Sequence, residues 1–206
     1  MTSTFVALID LLGTFAFAIS GGLVAVRHRL DLFGVLVLSF AAATAGGVIR
    51  DVLLDTVPVS VVDWRYLATS IVAGLITFRW HDQVERMRNP VQISDAIGLS
   101  LFAVLGAGKA LAHGLGPTGA VMLGILSGVG GGIVRDVLVA TVPSVLQREL
   151  YAMAAFVGAL VVVLAHALSL PGAPSTVAGA VACFVLRWLA IRHGWRLPQP
   201  RGGDAP

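Results

Sequence analysis

Shifted by 85 residues, the chain aligns with itself without a gap. Asp10 falls on Asp95, Gly13 on Gly98, Phe17-Ala18 on Phe102-Ala103, Gly21 on Gly106 and Gly34 on Gly119. Gly46-Gly47-Val48-Ile49-Arg50-Asp51-Val52-Leu53 falls on Gly131-Gly132-Ile133-Val134-Arg135-Asp136-Val137-Leu138. Thr56-Val57-Pro58 then falls on Thr141-Val142-Pro143, and Tyr66 on Tyr151. Chance likeness between apolar stretches matches Ala, Leu and Val. It does not align Arg-Asp, Thr-Val-Pro and a ladder of glycines at one offset, so the chain is a duplication.

What is duplicated is membrane-spanning. Of the 206 residues 57% are hydrophobic and 12% charged, against about 25% charged in a soluble domain. The 24 glycines fit the same class, because glycine is commoner in membrane helices than in soluble ones. Segments of about 20 residues, the length that crosses the hydrocarbon core, are expected at 5–26, 32–54, 63–80, 91–113, 117–139, 150–168 and 175–191. Pro171 and Pro174 separate the last two. Each copy holds three helices, an odd number, so the second copy must enter the bilayer from the opposite side. The expected fold is an all-α membrane protein with seven transmembrane helices. Two inverted three-helix repeats, 5–80 and 91–168, are followed by a C-terminal seventh helix, 175–192, and a disordered cytoplasmic tail, 197–206.

A pI near 9.8 can point to nucleic acid, but here the arginines flank apolar segments, which is the membrane pattern. The expected partner is the lipid bilayer, with no nucleic acid. With the N-terminus outside, ten of the fourteen Lys and Arg fall on the cytoplasmic side, Arg187 among them, and only Arg65 and Lys109 outside. The expected location is therefore a bacterial inner membrane, N-terminus out and C-terminus in. Arg27 and Arg29 follow the first segment rather than preceding it, the reverse of a cleavable signal peptide. The single cysteine, Cys183, excludes an internal disulfide and a cysteine metal cluster.

The chemistry concentrates on Gly-Gly-x-x-Arg-Asp. Gly46, Gly47, Gly131 and Gly132 lie inside the second and fifth segments, where each glycine costs about 1 kcal/mol relative to alanine. Two roles are open for them: local unwinding that frees carbonyls at membrane depth, or close helix packing through small residues. Arg50, Asp51, Arg135 and Asp136 are ionisable groups within apolar segments, a functional-site hypothesis by default. Pseudo-two-fold symmetry predicts crossed pairs, Arg50 with Asp136 and Arg135 with Asp51. Thr44 and Ser127 can supply hydroxyls to a pathway, and Asp10, Asp95 and Lys109 are candidates for a pore mouth. No catalytic set, P-loop or metal cluster at ligand spacing is present in the sequence, so neither an enzyme nor a metal site is expected.

The doubled Gly-Gly-x-x-Arg-Asp with its downstream Thr-Val-Pro resembles the prokaryotic branch of the trimeric intracellular cation (TRIC) channel family, a domain also labelled glycine transporter. The resemblance covers residues 5–191. It implies a homotrimer with an hourglass pore in each protomer, lined by second and fifth helices broken at the glycines. It also implies conduction of monovalent cations, K+ foremost, with voltage-sensitive gating and no cofactor beyond the permeant ion. A secondary transporter of a small solute such as glycine fits an inverted repeat equally well, and a non-transporting scaffold is a third class.

Overall fold

The computed structural model describes residues 3–85, 89–147 and 150–195. The expected tail at 197–206 and the arginines at 86, 88, 148, 196 and 201 lie outside the described residues. Within them the chain forms nine helices: α1 Ser3–Arg27, α2 Leu32–Leu53, α3 Val59–Val62, α4 Trp64–Glu85, α5 Pro90–Ala112, α6 Pro117–Leu138, α7 Ser144–Gln147, α8 Leu150–Ala167 and α9 Gly172–His193. The duplication is visible in these bounds. Both ends of α2 recur 85 residues later in α6, and both ends of α3 recur in α7.

Local chemistry explains the helix ends. Asp31 caps α2 by accepting the Gly34 N–H at 2.8 Å. Pro90 and Pro117 open α5 and α6, where the missing N–H costs nothing. The left-handed residues Arg29 and Gly114 follow α1 and α5 at equivalent positions, and Asp55 and Ala140 follow α2 and α6. Ala140 holds φ at 54° without being glycine, a strain of about 1–2 kcal/mol. Ala140→Gly is therefore expected to raise the thermal midpoint by about 2–4 °C, measured by scanning fluorimetry of purified protein. Asp63 precedes α4 and accepts both the Arg65 backbone N–H and its guanidinium. Those bonds hold its carboxyl below the usual carboxylate range.

Each of the seven expected segments coincides with a helix, and six of these helices are long and apolar enough to cross a membrane: α1, α2, α5, α6, α8 and α9. The exception, α4, is interrupted at Trp80 by a non-helical backbone and carries Arg79, His81, Asp82 and Glu85 toward its end. Large apolar side chains such as Leu12, Phe33, Val52, Met122 and Leu164 stand on the outer surface, as lipid contact requires. The expected break at Gly46-Gly47 and Gly131-Gly132 is not there, because α2 and α6 are continuous through both pairs. The chain turns only after them, at Thr56-Val57-Pro58 and Thr141-Val142-Pro143.

The glycines serve approach instead. A Cβ on Gly46 would stand 2.0 Å from the Ser127 carbonyl oxygen, and one on Gly131 2.3 Å from that of Ala42. Ala42 and Ser127 are themselves equivalent, so α2 and α6 cross by the same contact made twice. α1 and α5 meet in the same way. Gly13 lies against Phe102 and Gly98 against Phe17, while the two rings stack with centroids 5.6 Å apart. Because early residues of α1 meet late residues of α5, and the reverse, these helices run antiparallel. α4 packs on α1 and α2, α8 packs on α5 and α6, and α9 packs on α5 and α8 without a counterpart.

Candidate functional site

Both Arg-Asp pairs are buried at the ends of α2 and α6. Arg50 is 3% exposed and Arg135 2%, so each guanidinium must find its partners inside the protein. The crossed pairing does not occur. Arg50 Nε donates to Asp51 Oδ1 at 2.7 Å, and Arg135 Nε to Asp136 Oδ1 at 2.8 Å. Neighbouring residues on a helix do not face each other, but these aspartates stand two residues from the helix end. There the carboxylate turns past the last turn, and the long arginine side chain follows it. The other carboxylate oxygen is fixed by the next element: Asp51 Oδ2 accepts the Val59 N–H at 3.1 Å, and Asp136 Oδ2 the Ser144 N–H at 2.7 Å. Thr56 and Thr141 hydroxyls close the turn by donating to the Asp51 and Asp136 carbonyls. Arg-Asp and Thr-Val-Pro are thus one structural unit, which explains their shared spacing.

The two units differ in what surrounds them. Lys109 Nζ reaches Asp51 Oδ1 at 2.8 Å, and the Tyr66 hydroxyl donates to Asp10 Oδ2 at 2.9 Å. In the second unit Arg135 Nη1 bonds Asp95 Oδ1 at 2.5 Å and also the Ser20 hydroxyl. Asp10 and Asp95 are both buried. Lys109, a quarter exposed, is thereby tied to the buried Asp51 carboxylate.

Each unit borders a cavity, here called a vestibule. One, of about 490 Å³, is lined by Asp10, Arg50, Val59, Tyr66 and Lys109, with apolar residues of α1 and α5. The other, of about 340 Å³, is lined by Arg27, Asp95, Arg135, Asp136, Ser144 and Arg187, among others. Asp10 and Arg27 are separated by about 26 Å of α1 at 1.5 Å per residue, so the vestibules sit toward opposite ends of that helix. They share no lining residue. A narrow gap of about 10 Å³ between Thr44, Gly47, Arg50, Asp51 and Phe102 shares Asp10, Arg50, Val59 and Tyr66 with the first.

The remaining expected residues divide. Gly47 and Thr44 line that gap, although the Thr44 hydroxyl donates to its own helix at the Phe40 carbonyl, 2.8 Å away. Ser127 is buried in the α2–α6 crossing and lines neither vestibule. Gly132 lies against the Tyr151 hydroxyl, which a Cβ there would approach to 2.7 Å. Tyr66, Tyr151 and Ser20 were not singled out from the sequence, although the two tyrosines match across the repeat. Arg187, counted there among cytoplasmic charges, is buried in α9 with its guanidinium 4.8 Å from the Tyr151 ring centre. Its signal was an arginine within an apolar helix, six residues before the end of α9. Among the described residues no group of three or more His, Cys, Asp or Glu is placed to hold a metal ion.

Comparisons with known proteins agree with this duplication. The family model described as glycine transporter matches the chain twice, at residues 7–82 and 92–167, again 85 residues apart. The chain is 40% identical to the UPF0126 inner membrane protein YadS of Escherichia coli, over 92% of this chain and 93% of that protein. Its fold is similar to that of the TRIC trimeric intracellular cation channel orthologue from Rhodobacter sphaeroides. That match has a TM-score of 0.89 at 34% identity, and covers 94% of this chain and 100% of the other. A structure solved for conductance through TRIC cation channels matches with a TM-score of 0.89 at 36% identity, over 97% of this chain and 98% of the other.

Proposed function

The chain belongs to the trimeric intracellular cation channel family, also described as glycine transporter, and from that premise we propose that it is a monovalent cation channel of the potassium type. The carrying observation is the pair of vestibules that approach from opposite ends of α1 and stop at equivalent Arg-Asp units. Such an arrangement supports one ion path through each protomer, closed at its middle in this conformation. Gly46, Gly47, Gly131 and Gly132 hold α2 and α6 together at the closure. Arg50, Asp51, Arg135 and Asp136 line it and act as its gate, with Thr44 and Ser127 nearby and Asp10, Asp95 and Lys109 in the vestibules. Neutralising each arginine with a carboxylate removes the barrier that a bare guanidinium would present to cations.

In this reading α4 is the seventh span, and residues 5–80 and 91–168 are inverted three-helix repeats. The antiparallel meeting of the equivalent helices α1 and α5 supports that inversion. The protein sits as a homotrimer in a bacterial inner membrane, N-terminus out. Glycine transport is the competing outcome. Planar-bilayer recording of purified protein in opposed K+ and Na+ gradients separates them. Single-channel steps with a potassium-selective reversal potential are expected, and Arg135→Ala is expected to change their amplitude or gating. Saturable glycine flux without steps would assign the protein to transport instead.

A further inference from the structure

Lys109 has no counterpart in the other half: the residue 85 positions before it is Val24. The duplication therefore supplies an internal control for what this lysine does. Asp136 joins Arg135 to the α7 amide with no ammonium present, so the same unit around Asp51 closes without Lys109. The lysine is also the accessible member of its cluster. Its side chain is 25% exposed, against 4% for Arg50 and 1% for Asp51. It faces the vestibule of about 490 Å³, beside Gly108, where an added Cβ would meet nothing within 4 Å. A positive charge that the fold does not require, facing this vestibule, has an electrostatic consequence. It opposes the two acids, Asp10 and Asp51, that would otherwise draw cations inward past Arg50.

We propose that Lys109 sets cation access through the first vestibule, lowering cation occupancy at its inner end and hence the conductance. This rests on the conduction reading. A vestibule charge acts through local ion concentration, and salt screens it, the Debye length falling from about 10 Å at 0.1 M to about 3 Å at 1 M.

The test is single-channel recording of wild type, Lys109→Met and Lys109→Arg at both salt concentrations, beside thermal midpoints of the three. Lys109→Met is expected to melt within a few degrees of wild type and to raise conductance about threefold at 0.1 M KCl, with the difference shrinking at 1 M. Lys109→Arg is expected to keep the wild-type conductance. Lys109→Cys is expected to conduct like the methionine variant until a cationic thiol reagent restores the charge; the native thiol, Cys183, is buried. Wild-type steps with an unchanged Lys109→Met conductance, or a Lys109→Met protein that does not fold, would overturn the assignment of Lys109 alone. A silent wild type overturns the conduction reading and this proposal together.

Discussion

Gly131→Ala should destabilise the protein by more than about 3 kcal/mol, at or beyond the upper end of what overpacking costs, and Gly46→Ala should do the same. A methyl at Gly131 would sit 2.3 Å from the Ala42 carbonyl oxygen, and one at Gly46 2.0 Å from that of Ser127. Both obstacles are backbone, so no side chain can swing aside; α2 and α6 must separate as bodies. Separation would also disturb the neighbouring contacts, since Gly130 already packs on Gly46 and Gly131 lies near Phe17. Gly108→Ala is the control. It changes the same residue type within a helix, yet meets nothing within 4 Å, and helix propensity alone makes it neutral to about 1 kcal/mol favourable. Thermal midpoints and monodispersity in detergent distinguish them. Should Gly131→Ala melt with wild type, the crossing gives way easily, and the glycines are a hinge rather than a contact surface.

That choice between hinge and contact marks how far the sequence could be read. The periodic match at 85 residues and the apolar lengths located every long helix, because both properties are local or self-referential. The Arg-Asp motif marked the cluster at the helix ends for the same reason. What escaped was three-dimensional. Gly-Gly favours unwinding and packing alike, and only the position of the facing carbonyl decides between them. Symmetry alone predicted exchange of partners between Arg50 and Arg135. The structure has the same symmetry with each pair closed on itself, a solution equally allowed by a two-fold. Arg187 lies within the expected segment 175–191 and counting rules assign it to the cytoplasmic side by position alone, whereas its burial against the Tyr151 ring is a tertiary contact. Lys109 is legible as a pore-mouth candidate, but its partner is not: it aligns with Val24 across the repeat, so no matched position points to its bond with Asp51.

The unmatched surroundings make the two arginines unequal, and Arg135→Gln is expected to be far more damaging than Arg50→Gln. Arg135 bridges two carboxylates, Asp95 and Asp136, and also holds Ser20. Removing its charge takes from both acids the cation that bridges them, a loss of up to about 3–5 kcal/mol for a broken buried pair. Arg50→Gln leaves Lys109 on Asp51 at 2.8 Å and the Tyr66 hydroxyl on Asp10, so its cost should fall well below that range. The double variant Arg135→Gln with Asp95→Asn should recover a substantial part of the loss, because an amide does not carry the desolvation cost of an isolated carboxylate. Two residues in direct contact are where such non-additivity is expected. Thermal midpoints of the two single variants and the double variant, in one detergent and at one pH, test all three statements. Equal midpoints for Arg135→Gln and Arg50→Gln would mean that water from the second vestibule already solvates Asp95 and Asp136. The second unit would then be a wetted passage rather than a closed seal.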